Sequence, residues 1–210
     1  MKKSCILLLL LLCKVFLNAQ NYSEEMYKTI QSMNQAQNLE AFLKTANRFE
    51  RIGLFNDKEW LPNYYTSYLY AKMSYLIKED KERDKYLDRA EDEYSKAKKK
   101  ENTDKPEMMI LSAYIMQARF SVSYMSRLSM NKKSLEILKD VTKKYPSNPR
   151  GLLLLGVSYY NMPGFIGGDK KKACELFVKA KEAFISFELA TKNHPNWGEE
   201  LNNVWLKKCK

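Results

Sequence analysis

Few residues in this sequence could perform acid–base or metal chemistry. The chain has one histidine, His194, which precedes Pro195 in a predicted loop. General bases, zinc sites and catalytic triads usually depend on histidine. No cysteine or carboxylate stands near His194 at the spacing of a zinc ligand. We therefore predict a surface position for His194, with neither a metal site nor a cofactor in the protein.

Two short patterns match parts of known catalytic or phosphate sites. Ser129-x-x-Lys132 has the spacing of the first element of penicillin-binding active sites, but no Ser-Asp-Asn or Lys-Thr-Gly follows it. The glycines of segment 164–170 precede a predicted helix, where backbone N–H groups can hold an anion. The Walker spacing is absent, however, and Asp169 would repel phosphate. We interpret Asp169 as a helix N-cap and predict that the protein is not an enzyme.

The N-terminal segment has the pattern of a signal peptide. Lys2 and Lys3 precede an unbroken apolar run from Cys5 to Cys13, shorter than the roughly 20 residues that span a bilayer. This pattern predicts a cleaved leader over residues 1–19 and a periplasmic or secreted protein. A lipid anchor at Cys13 is disfavoured because the preceding residue, Leu12, is not small.

Two cysteines, Cys174 and Cys209, remain after the leader. An oxidising compartment permits a disulfide between them, but the sequence does not establish that their Cα atoms lie close enough. The alternative is a buried thiol at Cys174 and a free one at Cys209.

The charge balance is basic. Without the leader the chain retains 33 basic and 25 acidic residues, a net charge of +8. Runs of lysine usually mark solvated helix faces or ends. Export and the lack of a recognition motif argue against nucleic acid as a partner. The charge is compatible with a weak attraction to anionic surfaces of the cell envelope.

The remainder of the chain predicts an all-α protein. Helix-forming residues dominate long segments, and no segment shows the alternation of a half-buried strand. Pro106 and Pro149 occupy positions where a first-turn proline removes no helical hydrogen bond. The predicted helices cover about 22–33, 38–52, 60–78, 81–100, 106–128, 132–145, 149–161, 169–191 and 197–208.

Small and apolar residues recur at the same spacing in three of these helices. The recurring triplets are Ala90, Tyr94 and Ala97; Ser134, Leu138 and Val141; and Ala173, Phe177 and Ala180. The helix before the last triplet carries Leu152, Leu155, Gly156 and Tyr159. Together these residues resemble the tetratricopeptide repeat, whose helix pairs place apolar residues, Leu-Gly and Tyr in the first helix and Ala, an aromatic residue and Ala in the second.

The resemblance implies a single helical domain over residues 20–210, a right-handed superhelix of antiparallel helix pairs. Its repeat-like units would cover about 60–100, 106–146 and 149–191, with terminal helices at 22–52 and 197–208. Five residues, including Pro163-Gly164, are inserted within the last unit, so the units are not strict repeats. The overall layout is similar to that of exported tetratricopeptide-like proteins of Gram-negative bacteria.

The resemblance also implies a binding function. In such stacks the first helix of each pair lines the concave groove, where Arg150 would anchor an anion. The positions assigned to the groove are Tyr64, Tyr68, Glu107, Ile110, Tyr114, Gln117, Arg150, Leu153, Val157 and Tyr160. We therefore predict a periplasmic or secreted scaffold that binds a protein or peptide partner in the cell envelope. The alternative is a small-molecule or glycan-binding component of an uptake or maintenance system, with a closed apolar pocket near Trp60 or Trp205.

Overall fold

The computed structural model describes residues 21–209, and all of its regular structure is helical. The predicted leader over residues 1–19 and Cys13 lie outside this range. The helices are α1 over residues 21–35 and then α2 Leu39–Phe55, α3 Leu61–Ser74, α4 Asp80–Lys98, α5 Lys105–Val122, α6 Leu128–Lys144, α7 Pro149–Asn161, α8 Lys170–Ser186 and α9 Glu199–Lys208. This confirms the predicted all-α class. Within the described range, no helix combines the length and apolarity that crossing a bilayer requires.

Side-chain caps define several helix starts. Asp104 accepts a hydrogen bond from the Glu107 N–H at 2.9 Å, and Asn148 accepts from the Arg150 N–H at 3.0 Å. Asp169 accepts from the Lys172 N–H at 2.9 Å. The predicted N-cap role of Asp169 is therefore confirmed, because it satisfies a backbone donor that has no partner within the helix.

The predictions were least accurate at two helix ends. The predicted helix 106–128 ends at Val122, and residues 123–127 form a turn. Within this turn, Arg127 donates a hydrogen bond back to the Arg119 carbonyl at 3.1 Å. The predicted helix 169–191 ends at Ser186, and Phe187 is extended. From there the chain leaves the helix surface and returns across the fold.

From α2 onward, successive helices pack against each other, and α3 also contacts α5, which contacts α7. Short connections place neighbouring helices antiparallel. Residues of α3, α5 and α7 are buried around most of their circumference, whereas α4, α6 and α8 bury a single stripe each. The first set therefore forms the interior of the fold and the second set forms one of its faces.

Gly156 permits the close approach of α7 and α8. A Cβ atom at this position would lie 2.6 Å from Cε1 of Phe177, and the Phe177 side chain is fully buried. The missing side chain thus makes room for the ring. The small residues Ala173 and Ala180 on α8 are also fully buried.

Helix α9 closes one end of the stack. Cys174 on α8 forms a disulfide with Cys209, the residue after α9, with their Cα atoms 5.7 Å apart. The Trp205 ring stacks on Phe177 with a centroid distance of 5.7 Å. The disulfide thus holds α9 against α8 and decides between the two alternatives that the sequence left open.

Candidate functional site

A pocket of about 860 Å³ opens between the interior helices and α9. Its volume lies within the roughly 300–1,000 Å³ of small-molecule sites. Aromatic side chains make up much of its lining: Tyr68, Tyr75, Tyr114, Phe120, Tyr124, Trp197 and Trp205. Polar and charged residues share the lining with other apolar ones: Met33, Ala36, Leu76, Leu154, Val157, Met162, Leu201 and Val204.

Three aromatic rings pack together to form the floor of this pocket. Trp197 stacks on Tyr68 at a centroid distance of 4.6 Å and an interplanar angle of 20°. Tyr114 lies 5.6 Å from Trp197 and 5.5 Å from Tyr68. Such offset arrangements are favourable between aromatic rings, so the floor is a packed unit drawn from α3, α5 and the segment before α9.

Two further tyrosines form a more accessible part of the wall. Tyr75 follows α3, and its ring lies 6.0 Å from Tyr114. Tyr124 lies in the turn after α5, packed edge-on against Phe120 at 4.9 Å. Tyr75 is 45% exposed and Tyr124 is 59% exposed. Both rings can therefore contact a ligand without any rearrangement of the core.

A buried hydrogen-bond chain fixes the position of Trp197. Its indole N–H donates to the Tyr64 hydroxyl at 2.9 Å, and that hydroxyl donates to Oε2 of Glu107 at 3.2 Å. Tyr64 is fully buried. Burial, and then the nearby Glu107 carboxylate, raise the pKa of Tyr64, so the hydroxyl keeps its proton and remains a donor to Glu107.

Glu107 also forms a buried ion pair with Arg150. Arg150 donates from Nε and Nη2 to the two carboxylate oxygens at 2.9 and 2.6 Å, and the Asn148 amide donates at 2.6 Å. Each side chain of the pair is 1% exposed. Such bidentate geometry offsets part of the cost of removing both charges from water.

This position corrects the role predicted for Arg150. The sequence interpretation placed it on an open groove as an anion anchor, whereas the side chain lies in the core with its charge already paired. Residues before α9 cover it: a Cβ atom at Gly198 would lie 3.6 Å from Cγ of Arg150 and 3.1 Å from Cδ2 of Leu153. The returning chain therefore fills the part of the groove next to Arg150.

The predicted surface position of His194 is also wrong, since the residue is only 8% exposed. Its Nε2 lies 3.3 Å from Oδ2 of Asp104. Burial opposes ionisation of Asp104, but hydrogen bonds from His194 and the Glu107 N–H outweigh it and lower the pKa of that carboxyl. His194 thus belongs to the hydrogen-bonded layer beneath the pocket floor.

Asp104, Glu107 and His194 bring one potential ligand atom each within 4.8 Å of the others. Both Glu107 oxygens, however, already accept hydrogen bonds from Arg150. Asn148 and Tyr64 supply one further bond each to the same carboxylate. The charge of Glu107 is thereby neutralised within the protein, and we assign the trio to the support of the fold.

The structure brings four of the ten predicted groove residues into the pocket lining: Tyr68, Tyr114, Gln117 and Val157. Five others are buried core residues: Tyr64, Glu107, Ile110, Arg150 and Leu153. Tyr160 lies beside Trp205 at a ring distance of 5.1 Å. The repeat register thus placed four of its ten positions at the pocket, but it carried no information about the segment that folds over these helices.

Sequence reasoning missed Trp197 and Tyr124 as site residues. Trp197 was assigned to a capping helix, yet it precedes α9 and lies in the floor of the pocket. Gly198, in a left-handed conformation with φ 110°, provides the turn after it, and a Trp-Gly pair ahead of a helix is a signal that could have drawn attention to it. Of the two tryptophans considered for a pocket, Trp205 lines it, whereas Trp60 is 8% exposed and packs on Tyr64.

The sequence matches no known protein-family profile and no curated protein. A solved structure is similar to it: the HusA haemophore from Porphyromonas gingivalis, with a TM-score of 0.79 and 26% sequence identity. The match covers 90% of this chain and 92% of the other. The fold is thus shared over nearly the whole length with a protein described as a haemophore.

Proposed function

We propose that this protein binds haem, or a planar aromatic molecule of the same shape, in the aromatic pocket. The observation that carries the proposal is the pocket of about 860 Å³ lined by seven aromatic side chains. It occurs in a fold similar to that of a haemophore. Flat rings with large apolar faces gain most from stacking against such side chains. The protein would then act by binding rather than by catalysis.

The lining indicates how such a ligand would be held. The chain's single histidine has its Nε2 3.3 Å from Oδ2 of Asp104, below the floor, and Cys174 and Cys209 are joined to each other. Neither an imidazole nor a thiolate therefore reaches the pocket from residues 21–209. Tyrosine and methionine, which also ligate haem iron, are present as Tyr75, Tyr124 and Met162. The macrocycle would then be held by contact with the aromatic lining, and a protein ligand to its iron would come from a tyrosine or methionine side chain.

The same geometry favours a compact ligand over the peptide partner expected from the repeat resemblance. A peptide-binding groove must stay open along its length, but the segment before α9 covers Arg150 and Leu153. What remains is a bounded pocket. The small-molecule alternative of the sequence interpretation is therefore the better supported one.

We also infer a tetratricopeptide-like stacking of the helix pairs and a location outside the cytoplasm. The contacts of α3 with α5 and of α5 with α7 support the first inference, together with the Gly156–Phe177 approach. The leader pattern and the Cys174–Cys209 disulfide support the second. The rotation between successive helix pairs, measured in a crystal structure, tests the inferred stacking. N-terminal sequencing of the exported protein tests the inferred location, because it shows whether the leader has been cleaved.

Haem titration tests the binding proposal. Absorbance and tryptophan fluorescence would be followed as haem is added to the wild-type protein and to a Tyr75→Ala/Tyr124→Ala variant. We expect saturable binding at one haem per chain by the wild type. Because Tyr75 is 45% and Tyr124 is 59% exposed, we expect the double variant to retain the helical fold by circular dichroism and to bind haem about tenfold or more weakly.

A Phe55→Ala variant is the matched control, since this ring is 85% exposed and lies outside the pocket. It should bind haem as the wild type does. Absence of saturable binding by the wild type, or equal losses in the pocket and control variants, would contradict the proposed site.

A further inference from the structure

We propose that Lys72 is an anion anchor at the edge of the pocket and selects planar ligands that carry a carboxylate. The inference rests on the proposed function and names a ligand class for the same site. Lys72 lies on α3, one turn after Tyr68, and both side chains line the pocket. A ligand lying on the floor would therefore have an ammonium group beside it.

The surroundings of the Lys72 ammonium are aromatic. Nζ lies 4.4 Å from the centre of the Phe42 ring and 6.0 Å from that of Tyr68. Ring faces attract a cation, but they accept none of the three hydrogen bonds that an ammonium can donate. Among residues 21–209 Lys72 has neither a hydrogen-bond acceptor nor a salt-bridge partner. Burial accordingly lowers its pKa.

The second cation of the lining, Arg83, is differently placed. Its Nε donates to the Ser74 carbonyl at 3.1 Å, and its two terminal nitrogens donate to the carbonyl and hydroxyl of Ser121 at 3.2 and 2.6 Å. Arg83 thus uses its donors to join α4 to both α3 and α5. Lys72 is the lining cation whose donors remain available to a ligand.

Two carboxylates, Glu199 and Glu200, also line this pocket. Both are exposed residues in the first turn of α9. Glu200 is close enough to favour the charged form of Lys72, although it makes no salt bridge with it. A ligand carboxylate at Lys72 would replace this weak attraction with a direct charged hydrogen bond, and it would be repelled by Glu200.

Haem fits this ligand class because it combines a flat apolar ring with two propionate groups on one edge. With the ring against the aromatic lining and that edge toward α3, a propionate could reach Lys72. The anchor would then fix the orientation of the ring, which stacking by itself leaves undefined.

The test compares haem with its dimethyl ester, which keeps the ring and iron but has no carboxylate. Wild-type protein should bind haem roughly tenfold or more tightly than the ester, the range expected of a charged hydrogen bond. Lys72→Gln should lower the haem affinity to that of the ester and leave ester binding unchanged. Lys72→Arg should retain the preference for haem.

Two further variants complete the experiment. Glu200→Gln should strengthen haem binding, because it removes a repulsive charge, without affecting the ester. Lys170→Gln is the charge-matched control: its Nζ lies 5.3 Å from the Tyr160 ring, outside the pocket lining, so its loss should change neither affinity.

The outcomes separate the two proposals. If wild type and Lys72→Gln bind haem and its ester with one common affinity, the anchor is wrong while the proposed function stands. If neither ligand binds the wild type saturably, the proposed function fails and the anchor fails with it.

Discussion

The indole N–H of Trp197 donates a hydrogen bond to the hydroxyl of Tyr64 at 2.9 Å, across 133 positions of sequence. Tyr64 in turn donates to Glu107, which is held by Arg150. The floor of the pocket is thereby tied to a buried ion pair. The shape of the site and the stability of the fold consequently depend on the same residues.

Breaking this ion pair should destabilise the protein strongly. In Glu107→Gln the Arg150 charge would remain buried without its partner, a loss of about 3–5 kcal/mol. Thermal unfolding followed by circular dichroism should show a midpoint lower by roughly 6–20 °C for a chain of this size.

Asp140→Asn is the control for this effect, since it breaks an exposed pair with Lys144 and should leave the midpoint unchanged. Similar midpoints for the two variants would show that the Glu107–Arg150 pair does not contribute to stability as its burial implies.

Gly156→Ala should also lower stability, because the new methyl group would overlap the Phe177 ring at 2.6 Å. Overpacking of this kind costs about 1–3 kcal/mol. Chemical denaturation of Gly156→Ala and of Gly164→Ala provides the comparison, as a Cβ atom at Gly164 meets nothing within 4 Å. Equal stability of the two variants would disprove the close approach of α7 and α8.

Loss of the disulfide should loosen α9. Cys174 and Cys209 are 35 positions apart, and a crosslink closing such a loop stabilises by about 2–4 kcal/mol. The Cys174→Ser/Cys209→Ser variant should unfold at a lower denaturant concentration than the oxidised wild type, and the reduced wild type should match it. Haem affinity should fall as well, since Trp205 on α9 lines the pocket. An effect of reductant on the double variant itself would point to another cause.

Stability in acid should depend on Asp104. Its pKa is lowered in the folded state, so its ionised form stabilises the fold above the ordinary aspartate pKa of about 3.9. That contribution is lost as the pH falls through the lowered value. Asp104→Asn, which retains an N-cap side chain, should therefore be less stable than wild type near neutral pH, and the gap should close in acid.

Unfolding midpoints measured from pH 7 down to pH 3 would test this. Asp57→Asn, at an exposed turn position, is the control and should run parallel to wild type. A gap between wild type and Asp104→Asn that stays constant over the whole range would refute the assignment.

Local sequence patterns were sufficient to predict the helices, because helix caps and first-turn prolines act within a few residues. Asp169 caps α8, and Pro149 begins α7 where it was expected. The ends near residues 122 and 186 were misplaced since contacts distant in sequence, such as that of Arg127 with Asp84 at 2.7 Å, decide where those helices stop. The small residues of the repeat pattern correctly marked positions of close helix packing, as Gly156 shows.

The sequence by itself determined that this chain is helical and that it lacks the usual catalytic constellations, and it predicted that Tyr68 and Tyr114 line one groove. Only the tertiary structure showed that residues of this groove line a pocket. Residues 187–198 return over the helices and cover Arg150, and this segment carries His194 into the interior and places Trp197 against Tyr68. The reason is physical: helix periodicity repeats within a few residues, whereas the covering of a face depends on a segment that is distant in sequence.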